Sequence, residues 1–496
     1  MDSDAQHFDL VVVGGGPAGV TAALRARELG ATVALLERAS LGGTCTNDGC
    51  VPTRVLAHAA RLRRDAGQFA AYGLIGEVPE VDFVRLLQRT HSMVHKIHEK
   101  KQLQNHLAAA GVQVYTTESD ARFRDPHTLR AEQGPAVSGD KILLCVGGRP
   151  RRLTFPGSEH ALTHSDVWSM NALPASLAIV GGAATGCQLA SVFAAFGSSV
   201  TLLEMAPRLV PGEDARVSEM LARAFQDQGI EIVTGIGGVD GIAQDGGNYR
   251  VTYRVNDQPQ EQTVGAVLLA TGWPGNADTL NLEAAGVHSE RSYIVVNDAL
   301  QTNVSHIYAA GDITGRMMLV QSASGEGSVA AENAVLGSSR GYVHHIVPHG
   351  SFTDPEYASV GLTEAQAREQ ESCVVAEVPY TDLDRAVIDG HRDGFCKLIA
   401  SADGSRVLGA HVVGEQAVEV VQIIAAGMAA GTPVARLADL ELSYPTYTAI
   451  VGLAARQIMR DAGLVPVAAQ WRAVGGRGVA QWEGGMVEAA PEPGAT

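Results

Sequence analysis

A chain of 496 residues, 46% apolar and 18% charged, has the length for about three domains and is too apolar for wholesale disorder. A formal net charge of -17, with no basic stripe or arginine-rich arm, excludes nucleic acid as an expected partner. The opening Met1-Asp2-Ser3-Asp4 carries no cationic leader, and the longest weakly polar stretch, Val418 to Ala430, is broken by Gln422 and Gly427; no signal peptide or membrane span is read, and a soluble cytoplasmic protein is expected.

In chain order, Phe8-Asp9-Leu10-Val11-Val12-Val13-Gly14-Gly15-Gly16-Pro17-Ala18-Gly19 reads as a buried strand and a glycine turn. A helix follows, then a second strand from Thr32 to Glu37. The next segment is Gly42-Gly43-Thr44-Cys45-Thr46-Asn47-Asp48-Gly49-Cys50-Val51-Pro52-Thr53. A helical stretch is predicted over 53–109, on which Lys96, Lys100 and Lys101, with Glu99, read as a solvated face. A strand pattern then ends in Ile142-Leu143-Leu144-Cys145-Val146-Gly147-Gly148-Arg149-Pro150. The segment Leu177-Ala178-Ile179-Val180-Gly181-Gly182-Ala183-Ala184-Thr185-Gly186, a helix, and Ser199 to Glu204 repeat the opening pattern, and the offset from Gly181 to Glu204 equals that from Gly14 to Glu37. Another strand end runs from Val264 to Gly272, followed by Ile307-Tyr308-Ala309-Ala310-Gly311-Asp312-Ile313. From about Ile346 strands alternate with longer helices as far as Asp461. The Gly-, Ala-, Pro- and Glu-rich remainder to Thr496 reads as a loosely ordered tail, with Trp471 and Trp482 arguing that part of it docks.

Each glycine turn lets backbone N–H groups and a helix N-terminus meet a pyrophosphate without an obstructing side chain, and the acidic residue closing the next strand accepts hydrogen bonds from ribose hydroxyls. Gly14, Gly16, Gly19 and Glu37 satisfy this pattern fully. In the second copy Gly181, Gly186 and Glu204 are kept, while Ala183 stands at the middle glycine. Glu204 would repel a 2′-phosphate and favours NADH over NADPH, with Arg208 close enough in sequence to complicate the preference.

Six cysteines in a chain of this length do not make a disulfide scaffold. Cys145, Cys187, Cys373 and Cys396 fall in apolar runs and read as small buried hydrophobes. Cys45 and Cys50 are close in sequence, and no second Cys or His pair completes a structural zinc set, so a pair that cycles between dithiol and disulfide fits better than a metal site.

The chain resembles the FAD-containing pyridine nucleotide-disulfide oxidoreductases, a family that includes dihydrolipoamide dehydrogenase, glutathione reductase and mercuric reductase. The resemblance runs from about Phe8 to Ile458. It rests on both glycine motifs, the Gly-Gly-Thr-Cys-x4-Cys segment, Thr302 to Asp312, and Phe352 to Glu364. It implies an α/β fold with two Rossmann-like dinucleotide-binding domains, for FAD and NAD, plus a C-terminal α+β dimerisation domain. The implied boundaries are 1–155 with 280–345 for FAD, 156–279 for NAD(P)H, 346–465 for dimerisation and 466–496 for the tail. It also implies a homodimer with active sites at the subunit boundary, Asp312 on the flavin ribityl chain, and Gly43, Thr44, Gly147 and Gly272 among the cofactor-binding residues. By position, Cys50 is the sulfur next to the flavin and Cys45 the one that meets substrate.

The departures from the family pattern are informative. Disulfide-reducing members carry His-Pro-Thr-x-x-Glu near the C-terminus, where the histidine moves the thiol proton and the glutamate orients it. Here the segment is Tyr444-Pro445-Thr446-Tyr447-Thr448-Ala449, so both partners are changed. Tyr444 either packs at the interface or donates a hydrogen bond to substrate or a thiolate. The family's lysine and glutamate beside the flavin are Arg54 and Gln188, which keeps the cation and removes its partner unless another carboxylate serves. Asp48 replaces an apolar residue in the cysteine loop and would disfavour a thiolate if it faced the sulfurs, or it faces solvent. Mercuric reductase works without the histidine, but its C-terminal cysteine pair is absent here, and His344, His345 and His349 are expected on the surface instead of replacing it. The expected function is NAD(P)H-dependent reduction of a small-molecule or metal-ion acceptor through Cys45 and Cys50, with no resident metal. The alternatives are a divergent dihydrolipoamide dehydrogenase and a flavin-bound redox sensor of low turnover.

Overall fold

The computed structural model describes residues 5–465. The chain forms two compact units, one drawn from Met1–Gly181, Phe196–Ser198 and Gly238–His344, the other from Gly182–Ala195, Ser199–Gly237 and His345 onward.

The first unit is built on a seven-stranded sheet in which Gln113–Thr116, Val33–Glu37, Gln6–Val13 and Ala136–Leu144 run side by side in parallel, with Ile307–Ala309 also parallel to Ala136–Leu144. Thr128–Arg130 and Arg122–Asp125 extend it antiparallel. Leu10 to Val13, Val33 to Leu36 and Ile142 to Leu144 are all buried, as a parallel sheet covered on both faces requires. Helices Pro17–Glu28 and Val320–Leu336 bring Ala18, Ala22, Ala26, Ala330 and Ala334 to one core, small side chains that let the helices approach closely. A second parallel set, Leu162–Thr163, Ala266–Leu269 and Ser176–Val180, belongs to the same unit.

The predicted helix over 53–109 is three helices, Cys50–Ala66, Phe83–Lys101 and Leu103–Ala109. Gly67, Gly73, Gly76 and Pro79 interrupt the first gap, and Asp82 restarts the chain as an N-cap by accepting the Arg85 N–H at 3.0 Å.

In the second unit Ser199–Glu204 pairs in parallel with Glu231–Thr234. After residue 345 a five-stranded antiparallel sheet runs in the order His349–Ser351, Tyr357–Gly361, Val407–Val413, Phe395–Ser401, Cys373–Pro379. Helices Ala417–Ala429 and Ala449–Asp461 cover it with Val420, Ile424, Ile450, Leu453 and Ile458. The weakly polar stretch near Val418 is thus a core helix, and among the described residues no helix is long and apolar enough to cross a membrane. Cys145, Cys187 and Cys396 are buried and Cys373 is half-buried. Trp471, Trp482 and the rest of the segment 466–496 lie outside the described residues.

Candidate active site

The first glycine turn begins where the strand Gln6–Val13 stops. Gly14 takes φ +103° and donates to the Leu36 carbonyl at 2.8 Å; a Cβ on it would lie 2.3 Å from the Cys145 carbonyl oxygen. At Gly19 a Cβ would lie 1.8 Å from the Gly14 oxygen, so helix and strand can meet only through glycine. Gly16 precedes the helix without a side-chain cap, leaving the N-terminus to an anion. Glu37 holds the turn from the next strand: its carboxylate accepts the Gly15 N–H at 2.6 Å and the Ala39 N–H at 2.8 Å. A Cβ on Gly43 would come within 2.8 Å of the Gly16 Cα, which places Gly43 and Thr44 against the same turn. Asp312 opens the short helix Asp312–Thr314, and burial first, then the charge of Glu326, push its carboxyl up to about 6. A glycine cradle, an uncapped helix start and a half-buried carboxyl fit a dinucleotide such as FAD.

The redox candidates sit on the continuation of this loop. Cys45 belongs to the short helix Gly43–Asn47 and Cys50 is the first residue of Cys50–Ala66. Asp48 N–H and Gly49 N–H both donate to the Thr44 carbonyl, at 2.8 and 2.7 Å, which closes the turn between them. Both are free thiols, Cys45 half-buried and Cys50 exposed. A hydrogen bond from the Cys45 thiol, aided by the backbone N–H at the helix start, lowers Cys50 to about 7 against burial and the Asp312 charge. The same bond and burial hold the Cys45 thiol far above its ordinary value. The arrangement favours a thiolate at Cys50, with Cys45 as the thiol that donates to it. Arg54 follows one turn later on the same helix.

Three side-chain grips on this loop were not legible in the sequence. His98 Nε2 meets Asn47 Oδ1 at 2.6 Å, and Lys101, exposed as expected of its helix face, donates from Nζ to Thr46 Oγ1 at 2.9 Å. The Asp48 side chain is 31% exposed. Its carboxylate accepts from Trp168 Nε1 at 2.8 Å and Ser165 Oγ at 2.6 Å, with His164 Nε2 at 3.3 Å.

The second turn repeats the first in detail. Gly181 takes φ +110°, and a Cβ there would lie 2.4 Å from the Ala270 oxygen. Glu204 accepts the Gly182 N–H at 2.5 Å and the Ala206 N–H at 2.7 Å, the same two-residue offset that Glu37 uses. Gly186 is buried in the helix Ala184–Phe196. Arg208 is committed to its own loop, donating to Ser218 Oγ at 2.5 Å and to the Pro211 and Glu213 carbonyls at 2.8 Å. Gln188 accepts the Phe352 N–H at 3.2 Å. Gly147 and Gly272 take φ +62° and +121° at the two later strand ends, where their carbonyls accept from Asn276 and Arg151 at 3.0 Å.

At the C-terminal motif the Tyr444 hydroxyl donates to Asp384 Oδ2 at 2.5 Å, with the side chain exposed. Tyr447 is buried and donates to Asp389 Oδ2 at 3.1 Å, and Ala449 opens the helix Ala449–Asp461. The cysteines belong to the first unit and Tyr444 to the second. Of the three histidines expected on the surface, His344 is largely buried and His349 half-buried. His344, 9% exposed, meets the fully buried Glu326 at 2.8 Å, and His349 meets Glu213 at 3.0 Å; His345 is exposed. Their carboxylate partners, invisible in the local sequence, draw both partly inward.

The chain matches the model of the pyridine nucleotide-disulphide oxidoreductase family over residues 8–327 and that family's dimerisation domain over 347–455. It is 32% identical over 451 residues to the dihydrolipoyl dehydrogenase of Zymomonas mobilis, covering 89% of this chain and 96% of the relative. It is 31% identical over 458 residues to a mercuric reductase of Staphylococcus aureus, covering 92% and 83%. The structure of RclA, an HOCl-induced flavoprotein disulfide reductase from Escherichia coli, superposes with a TM-score of 0.81 at 28% identity, over 90% of this chain and 99% of that one. Its Cu(II) complex gives a TM-score of 0.81 at 29% identity, over 91% and 99%. The chain therefore belongs to the pyridine nucleotide-disulphide oxidoreductases, enzymes that depend on FAD and NAD(P)H.

Proposed function

We propose that this enzyme uses NADH in preference to NADPH and passes electrons through Cys45 and Cys50 to a thiolate-binding metal ion, a quinone-like compound or an unusual disulfide, the first two being favoured where no residue relays a thiol proton. The observation that carries this reading is a tuned thiol pair in a chain whose acid–base positions hold Tyr444, bonded to Asp384, and Ala449. Gly14, Gly16, Gly19, Glu37, Gly43, Thr44 and Asp312 would hold FAD, which when bound supplies the two-electron relay between nicotinamide and disulfide. Gly181, Gly186 and Glu204 would hold the nicotinamide dinucleotide. Reduction of the Cys45–Cys50 disulfide consumes two electrons and one proton, breaks the S–S bond, and leaves Cys50 as thiolate and Cys45 as thiol. The match to a dimerisation domain supports a homodimer, and the domain boundaries given above remain our proposal.

Metal acceptors draw support from the relatives, one named mercuric reductase and one solved as a Cu(II) complex. NADH consumption measured with Hg(II), Cu(II), a soluble quinone, glutathione disulfide and lipoamide tests the proposal. Turnover is expected with a metal ion or the quinone and not with the last two; fast turnover only with lipoamide would support a divergent dihydrolipoyl dehydrogenase, which the similarity to the Zymomonas enzyme favours. Reduction of the cysteines without turnover on any acceptor would support the redox sensor.

A further inference from the structure

We infer that Lys101 is a positioning residue for the redox pair: through Thr46 it fixes the loop that carries the two cysteines and sets a positive charge beside them from the same chain. The inference rests on the redox reading of Cys45 and Cys50. Lys101 ends the helix Phe83–Lys101, and its ammonium donates at 2.9 Å to Thr46 Oγ1, on the residue adjoining Cys45. Thr46 is 1% exposed, so the hydroxyl that Lys101 grips belongs to a side chain packed inside the loop. One turn earlier His98 grips the next loop residue, Asn47, at 2.6 Å, and Asn47 in turn donates to the Gly43 carbonyl at 3.0 Å. The last turn of one helix thus holds two consecutive residues lying between the cysteines.

A helix C-terminus presents negative partial charge, which by itself would raise the cost of a thiolate in this loop. The Lys101 ammonium reverses that sign. Of the other ionisable groups near the pair, Asp312 opposes a thiolate, Asp48 spends its carboxylate on Trp168, Ser165 and His164, His98 is taken by Asn47, and Arg54 is a second cation one turn after Cys50 on the helix Cys50–Ala66. The charge of Lys101 lowers the pKa of both thiols, in support of the geometry. In disulfide-reducing members a histidine occupies position 444; with tyrosine there, the cation at Lys101 is a stabiliser that each subunit carries for itself.

The test uses the FAD-loaded, NADH-reduced protein and the pH dependence of its alkylation by iodoacetamide, with the modified peptides identified by mass. Lys101→Gln should move the thiolate titration upward by about half a unit to one unit, the range for a single partly exposed charge, and slow alkylation near pH 6 by ~3–10-fold. Lys101→Arg should restore the wild-type profile, and added salt should shrink the difference between wild type and Lys101→Gln. Lys101 is exposed, and flavin absorbance and thermal midpoint serve as the folding controls. A wild-type profile in Lys101→Gln, or no rescue by arginine, overturns the inference while leaving the redox pair intact. Failure of NADH to expose any alkylatable thiol at Cys45 or Cys50 in the wild type overturns both.

Discussion

Asp48 lies between the two cysteines in sequence, yet its carboxylate is bound to the indole of Trp168, which donates to Asp48 Oδ1 at 2.8 Å and to the Asp48 carbonyl at 3.0 Å. An anion that proximity alone would set against the thiolate is turned into an anchor for the loop. The helix His164–Val167, which carries Ser165 and His164 to the same carboxylate, is itself held by a capping box between Thr163 and Asp166.

Replacing Asp48 should therefore cost stability more than reactivity. Asp48→Ala leaves the Trp168 indole without its side-chain acceptor and should lower unfolding free energy by ~1–2 kcal/mol. The pH profile of thiol alkylation should stay within a few tenths of a unit of wild type. A large downward move of the thiolate titration in this variant would show that the carboxylate acts on the sulfurs after all.

The pair itself has a direction. Because the Cys45 thiol is the first cause of the lowered value at Cys50, Cys45→Ala should raise the Cys50 titration from about 7 back toward an ordinary thiol. At pH 7.5 the thiolate fraction would fall severalfold. Cys50→Ser should remove the long-wavelength absorbance expected when a thiolate lies against oxidised flavin, and Cys45→Ser should keep a version of it. The reverse pattern would exchange the two assignments.

How much of this was written in the sequence follows from the reach of each interaction. The glycine turns were legible because their constraint is local: at Gly19 a Cβ would lie 1.8 Å from a carbonyl five residues away, and only glycine solves that wherever the rest of the chain goes. The matched offset to Glu37 and Glu204 is likewise fixed by one strand–turn–helix–strand unit. Lys101 and His98 were not legible, since their partners lie 55 and 51 residues away and nothing in a lysine-bearing helix says which face meets a loop. The same applies to His349, whose histidine-rich neighbourhood suggests surface until Glu213, 136 residues earlier, is placed beside it.

Glu204 should set cofactor choice. With Arg208 spending its guanidinium on Ser218, Pro211 and Glu213, the loop has no arginine of its own turned to a 2′-phosphate at that position. NADH should exceed NADPH in kcat/KM by about tenfold or more, equivalent to ~1.4 kcal/mol. Glu204→Gln, which removes the charge but leaves an oxygen to accept the Gly182 N–H, should narrow that ratio. Equal efficiency with both nucleotides in the wild type would defeat the claim.

The Glu213–His349 contact gives the second unit a pH signature. Burial disfavours the imidazolium, but the Glu213 carboxylate outweighs it and raises His349 above its ordinary 6.5; burial of Glu213 is likewise outweighed by His349 and Ser359, which lower it below 4.5. A raised histidine contributes stability that is complete below 6.5 and lost as pH rises through its folded value; a lowered carboxyl contributes stability present above 4.5 and lost as pH falls through its own. The contact is thus strongest between those limits. Discounted for the partial exposure of His349, it should be worth ~0.5–1 kcal/mol. His349→Gln should lower the thermal midpoint at pH 6 and lose that deficit as pH rises through the raised His349 titration. A deficit that is constant with pH would mean a purely steric contact.

The sharpest prediction concerns position 444. A dithiol such as dihydrolipoamide must lose protons as it attacks the Cys45–Cys50 disulfide, and a positioned base contributes ~10²–10⁴-fold to such a step. Here the hydroxyl at that position donates to Asp384 at 2.5 Å, and Ala449 offers no carboxylate to orient a base. Wild-type oxidation of dihydrolipoamide and reduction of glutathione disulfide should both be slow. Tyr444→His alone should gain little, because Asp384 would hold the new imidazole as it holds the phenol. Adding Ala449→Glu places a carboxylate at the first position of the helix Ala449–Asp461, where a negative charge is favoured by the helix N-terminus. The double variant should raise disulfide turnover by about tenfold or more, and a rising limb should appear in its pH–rate profile at the histidine titration. Turnover of dihydrolipoamide by the wild type near ~10 s⁻¹, the middle of the enzyme range, would show that another group supplies the base and would remove the main reason for preferring a metal or quinone acceptor.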